Sequence, residues 1–115
     1  MVVDVKKYED LTLVKPHRDL KSKTVDALKK VLESLEKQGA ARFALDLSKV
    51  KFIDSSAIGY ILNFDKRQKK QNGFFCIFNY CDDVKELFDM IEIGDFITLY
   101  KTFEEMKCAF SGCTK

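Results

Sequence analysis

Asp54, Ser55 and Ser56 place one carboxylate and two hydroxyls at a single point of the chain, directly after the apolar run that ends at Ile53. Two kinds of chemistry use such a set. A serine becomes a nucleophile when a general base sits beside it. Alternatively, aspartate and serine at the start of a helix accept hydrogen bonds from its first N–H groups and cap it. The nucleophilic reading lacks its other parts. Around a cluster of Asp46, Asp54, Ser55 and Ser56 no histidine or lysine base is identifiable, no glycine-rich phosphate loop is present, and no metal set appears. The chain is therefore expected not to be an enzyme. A cap formed by Asp54 or Ser55 explains part of the motif, although capping needs one such residue and three are present.

The remaining reactive side chains are four cysteines and one histidine. Cys76 and Cys81, and Cys108 and Cys113, have C-x4-C spacing, not the C-x2-C of a zinc knuckle, and His17 is distant in sequence. Cys76 lies within Phe74-Phe75-Cys76-Ile77-Phe78, which has the character of a core strand. The cysteines read as reduced thiols, and no metal or cofactor is expected.

The elements that position Asp54 to Ser56 follow from hydrophobic spacing. Val2 to Lys6 and Leu11 to Val14 are short strands around the turn-like Tyr8-Glu9-Asp10, forming a hairpin. Val25, Leu28, Leu32 and Leu35 recur at helical intervals and stop before Gly39. Residues 42–47 and the run from Phe74 to Asn79 are apolar at nearly consecutive positions, as in strands covered on both faces. Between them a helix is expected from about Ser56 to Lys70, ended by Asn72-Gly73. Asp83-x-x-Glu86 has the spacing of a capping box and opens a further helix lined by Val84, Leu87, Phe88 and Ile91. Gly94 turns the chain, Phe96 to Tyr100 forms a strand, and Thr102-x-x-Glu105 caps a last helix. After the hairpin, helix and strand alternate. This predicts an α/β fold, a mostly parallel mixed β-sheet with an N-terminal hairpin and about four flanking helices.

The helix after the motif is unusually apolar. Ala57, Ile58, Tyr60, Ile61, Leu62 and Phe64 cover roughly 200° of its circumference, wider than the stripe of about 100° that packing on a sheet requires. The margins near Tyr60 and Leu62 are expected to stay partly exposed. Apolar surface beside a polar helix start is the character of a protein-binding face, and a helix wedged between the sheet and neighbouring helices would account for it equally.

Length and composition set the outer bounds. A chain of 115 residues, 46% hydrophobic and 33% charged, makes one domain with one substantial core. Twenty basic and 18 acidic residues leave a net charge of +2, and the run from Lys66 to Lys70 reads as a solvated helix end whose cations suit the dipole. Nucleic-acid binding calls for a larger footprint of one sign. No stretch approaches the roughly 18 apolar residues of a membrane span. The opening residues lack the basic-then-apolar pattern of a signal peptide. A cytoplasmic protein is expected.

The stretch ALDLSKVKFIDSSAIGYIL, residues 44–62, resembles the signature of the STAS domain as found in bacterial anti-sigma factor antagonists. In that family a strand ending Asp-Leu-Ser is followed by an apolar turn and by Asp-Ser-Ser-Gly-Leu-Gly at a helix start. KKQNGFFCIFN and VKELFDMIEIGDFITLYKTFEEM resemble the family's closing strand-helix-strand-helix. The likeness is clearest over residues 25–106 and extends loosely to the hairpin, so residues 1–115 are taken as one STAS domain. The resemblance implies a switch. Ser55 matches the serine phosphorylated by a partner that is both serine kinase and anti-sigma factor. The unphosphorylated antagonist binds that partner and frees the sigma factor; a PP2C-type phosphatase resets the phosphorylated form. Asp54, Ser55, Ser56, Ala57, Tyr60 and Asp19 are the expected contact residues. Two departures fall among them. Ala57 stands where the family has glycine, and Pro16-His17-Arg18-Asp19-Leu20 replaces its customary Gly-x-Leu-Asp, with Asp19 approximating the aspartate. STAS domains also serve as regulatory subunits of ABC-type lipid or anion transport complexes and as scaffold subunits of stress-sensing particles, and these are the alternatives.

Overall fold

The computed structural model describes residues 3–111 of the chain, so Val2 and Cys113 lie outside the described residues. The hairpin is longer than its apolar pattern implied. Strands β1 (Val3–Tyr8) and β2 (Leu11–Pro16) pair antiparallel from Val3↔Pro16 to Tyr8↔Leu11, leaving Glu9 and Asp10 as the turn. Cross-strand pairing carries β1 past Lys6 to Tyr8 and β2 past Val14 to Pro16. Glu9 takes the left-handed region with φ 56° to close the turn.

From β2 the chain enters helix α1 (Val25–Lys37), strand β3 (Arg42–Asp46), helix α2 (Ser55–Lys70) and strand β4 (Phe74–Phe78). Helix α3 (Asp82–Met90), a 3-10 turn (Ile93–Asp95), strand β5 (Thr98–Tyr100) and helix α4 (Phe103–Ser111) follow. The sheet runs β1-β2-β3-β4-β5; β1 and β2 are antiparallel and every other pair is parallel. The α/β mixed sheet with four helices is therefore the architecture that the alternation predicted.

The continuous apolar runs of β3 and β4 arise because both faces of the sheet are covered. One face carries Phe43, Leu45, Phe75 and Ile77 against Leu28 and Leu32 of α1, Ile61 and Phe64 of α2, and Val84 and Phe88 of α3. Ala44, Cys76 and Phe78 point the other way and meet Met106 and Phe103 of α4. Gly73 is required where α2 hands the chain to β4. A Cβ there would stand 2.6 Å from the Ala41 carbonyl oxygen, while the Gly73 N–H donates to the Gln68 carbonyl at 2.7 Å.

Two expectations need correction. Helix α3 is not opened by an Asp83 capping box. It begins at Asp82 after Cys81, which makes no side-chain cap; Asp82 and Asp83 instead lie in the first turn, where negative charge suits the helix dipole. The last strand is shorter than the span from Phe96 to Tyr100, because the chain between α3 and β5 makes the 3-10 turn and leaves Phe96 exposed. The last helix is capped as read, with the Glu105 N–H donating to Thr102 Oγ1 at 3.1 Å and the Lys101 N–H to Glu105 Oε1 at 3.0 Å.

Candidate functional site

Asp54 stands between an extended segment and a helix, and its two oxygens serve both. Its backbone is extended (φ −92°, ψ 176°), and Oδ1 accepts the Ala57 N–H at 3.0 Å, so Asp54 caps α2 and Ser55 is the first helical residue. The helix thus begins one residue earlier than expected. Oδ2 accepts the Ser22 N–H at 2.9 Å, from the loop between β2 and α1. The reciprocal bond is made by Asp19, whose Oδ1 accepts the Lys51 N–H at 2.8 Å. Between these two carboxylates the loops pair as strands do. The Leu20 N–H donates to the Phe52 carbonyl at 3.0 Å, the Asp54 N–H donates to the Leu20 carbonyl at 2.9 Å, and Leu20 and Ile53 form a parallel bridge. Leu20 and Ile53 are both buried, which anchors the crossing in the core.

Ser55 and Ser56 are exposed on the first turn of α2, where a helix leaves N–H groups without intrahelical partners. Gly59, one turn on, is also exposed, with nothing within 4 Å of where a Cβ would stand. Beside this turn lies Phe52, 51% exposed, with Lys21 Nζ 5.6 Å from its ring centroid. A groove of about 380 Å³ runs from Phe52 to α3, where Leu87, Glu86 and Met90 form its far wall. Met90 is 81% exposed. The apolar surface near the motif therefore comes from Phe52 and α3, not from the wide apolar arc of α2.

The expected contact residues separate accordingly. Asp54, Ser55, Ser56 and Asp19 are brought to one end of the molecule by the loop crossing. Ala57 is not on that surface: it is fully buried, in line with Ile61 and Phe64, and its methyl group belongs to the core. Tyr60 is also turned away. It packs against the core beside α1, with Lys29 Nζ 5.4 Å from its ring centroid, and its hydroxyl is sealed from solvent. Ser22, Phe52, Gly59 and Met90 were not foreseen. Phe52 had a readable sign, since alternation through Phe52-Ile53 makes one side chain face out when its neighbour faces in.

The far end of α2 is held by a polar cluster. Glu36 of α1 receives Arg67 Nη2 at 2.9 Å and Nε at 3.2 Å, together with the Gln68 side-chain amide. The basic run is thus only partly a solvated helix end; Gln68 is buried, and Lys69 pairs with the buried Asp65 at 2.9 Å. The Tyr60 hydroxyl lies beside the Arg67 guanidinium without reaching hydrogen-bond geometry. Burial pushes Tyr60 from 10.0 up to about 12, and burial in β4 pushes the Cys76 thiol from 9.0 to about 12. Both groups are neutral when folded and ionise more readily when unfolded. The stability they contribute is complete below pH 9 and is lost as pH rises towards 12. Denaturation midpoints should fall across that range, and Cys76 should resist alkylation until the chain unfolds. Rapid labelling of Cys76 in the native protein at neutral pH would contradict its burial.

Among the described residues no group of His, Cys, Asp and Glu is arranged to hold a metal ion. No helix among them is long and apolar enough to cross a membrane.

The profile of the STAS domain matches residues 2–106. A candidate anti-sigma factor antagonist from Thermotoga neapolitana is 27% identical over 98 residues, which cover 84% of this chain and 87% of the relative. The crystal structure of a candidate anti-sigma factor antagonist from Thermotoga maritima superposes with a TM-score of 0.85 at 24% identity, covering 98% of this chain and 95% of the other. The anti-sigma factor antagonist SpoIIAA in its unphosphorylated form superposes with a TM-score of 0.77 at 17% identity, covering 98% and 99%. At such identities the superpositions speak for the fold.

Proposed function

The chain belongs to the STAS domain family, and from that premise we propose that it is an anti-sigma factor antagonist whose binding is switched by phosphate on Ser55. The partner in this reading is an anti-sigma factor that is also a serine kinase. A PP2C-type phosphatase returns the domain to its binding form, and the output is sigma-factor-dependent transcription. The observation that carries the reading is the position of Ser55: an exposed hydroxyl on the first residue of α2, beside a cap already anchored to a second loop.

A phosphate there adds about −1.5 to −2 charges at the positive end of a helix dipole, where free N–H groups accommodate an anion. Both Asp54 oxygens are engaged by N–H donors, so part of the like-charge repulsion is already offset. Folding is therefore little affected, and the cost falls on docking. A partner closing over Ser55, Ser56 and Phe52 would have to desolvate a dianion without a counter-charge built for it.

The test is capture of partners from native lysate with wild type, Ser55→Ala and Ser55→Asp as bait. A kinase-type anti-sigma factor held by wild type and Ser55→Ala and lost with Ser55→Asp is the expected result. An ATPase or permease held by all three would instead make the domain a transport subunit and leave Asp54-Ser55-Ser56 as a helix cap. A high-mass assembly by light scattering would identify a scaffold subunit.

A further inference from the structure

Strand β1 ends the sheet, with β2 as its one strand neighbour among the described residues. An edge strand presents a row of main-chain N–H and C=O groups able to pair with another chain, and charge is the usual device that prevents it. Here the charges have an order that does something else. Asp4, Val5 and Lys6 are all exposed, Val5 at 41%, so an acid and a base flank an uncovered apolar residue. Lys6 makes no ion pair among the described residues, and Asp4 contacts His17 through Oδ2 alone.

Two copies of β1 can pair antiparallel about a twofold axis in few ways. Alternate residues turn their main-chain groups to the open edge, so residues opposed across the axis must share that alternation. The axis then passes through a residue opposed to its own copy. Centred on Asp4, the pairing sets two aspartates face to face. Centred on Lys6, it sets two lysines face to face and opposes Asp4 to Tyr8. Centred on Val5, it opposes Val5 to Val5, Val3 to Lys7, and Asp4 to Lys6 twice by symmetry. Like charges directly opposed destabilise a strand pair and opposite charges stabilise it. The first two registers are penalised and the third is favoured.

We propose that the β1 edge is a self-association surface, on which a second copy of this chain pairs antiparallel about Val5 to join two five-stranded sheets into one. The edge shares no residue with the Asp54–Ser56 site, so pairing leaves that site open on each copy. Five opposed residues bury less than a standard interface, so the dimer is weak and in rapid exchange with monomer.

Sedimentation equilibrium of the full chain over a wide concentration range tests this with wild type, Asp4→Lys, Lys6→Asp and the double variant. Wild type should rise from 13.3 kDa towards twice that mass as concentration increases. Asp4→Lys opposes lysine to lysine at both flanking positions, and Lys6→Asp opposes aspartate to aspartate. Each should weaken association about tenfold or more. The double variant restores opposite charges and should recover the wild-type constant, which also shows that the single variants failed for charge and not for folding. Wild type that stays monomeric up to millimolar concentration overturns the proposal. So does a dimer indifferent to the single reversals, or one that the double variant fails to restore.

Discussion

Phe64→Ala is expected to remove about 3–5 kcal/mol of stability. Phe64 is fully buried and joins α2 to two strands at once, its ring 5.1 Å from Phe43 at 77° and 5.2 Å from Phe75 at 79°. These edge-to-face contacts add to the burial of the ring itself. The Arg67 guanidinium lies 5.3 Å from the same centroid, so truncation also loosens the side chain that binds Glu36. Neighbours in two strands and a helix cannot all move inward to fill the space, which puts the cost towards the upper part of the range. Small domains are stable by only about 5–15 kcal/mol in total, so the variant should be marginal at room temperature. Urea denaturation followed by circular dichroism should show a large fall in midpoint with an unchanged slope. Phe64→Leu should lose markedly less. A loss below about 1 kcal/mol for the alanine variant would contradict the packing of α2 on the sheet.

The same residue marks what was legible in the sequence. Ala57, Ile61, Phe64 and Gln68 are the buried stripe of α2, and their spacing of four, three and four is helical periodicity in plain form. The family resemblance places Ala57 among the expected contact residues, through its adjacency to the two serines of the motif. Periodicity already placed it a full turn before Ile61, on the opposite side from Ser55, so the burial could have been read and the motif's adjacency misled. Tyr60 is different. Its orientation depends on what α1 presents to it, Lys29 below the ring and Glu33 and Glu36 near its hydroxyl, and no local pattern carries that. Strands β3 and β4 were readable as doubly covered because their apolar runs do not alternate. The loop crossing was not readable, since Asp19 with Lys51 and Asp54 with Ser22 are joined across 32 positions of the chain. Side chain to main chain bonds at that range depend on the sheet having already brought the loops together.

Asp54→Ala is expected to cost about 2 kcal/mol, from the loss of a helix cap and of a charge-assisted bond to the neighbouring loop. The two parts can be told apart. Asp54→Asn keeps one carbonyl oxygen, which can cap Ala57 N–H as Oδ1 does now, but its amide nitrogen would then face the Ser22 N–H, donor against donor. The asparagine variant should therefore retain roughly half the stability that alanine loses while freeing the loop. Hydrogen exchange at Ser22 should accelerate in both variants, and exchange at Ala57 only with alanine. The outcome bears on function through geometry. If Asp54 matters to a partner by fixing the loop beside Ser55, Asp54→Asn and Asp54→Ala should weaken partner binding to the same degree, because both release Ser22. If its charge meets the partner directly, Ser22→Pro, which removes the donor to Oδ2 and keeps the carboxylate, should bind as wild type does, whereas loop fixing requires it to bind as weakly as Asp54→Asn. Both oxygens are already occupied by backbone donors within this chain, which favours the first: in the proposed reading Asp54 acts by shaping the surface on which Ser55 is presented.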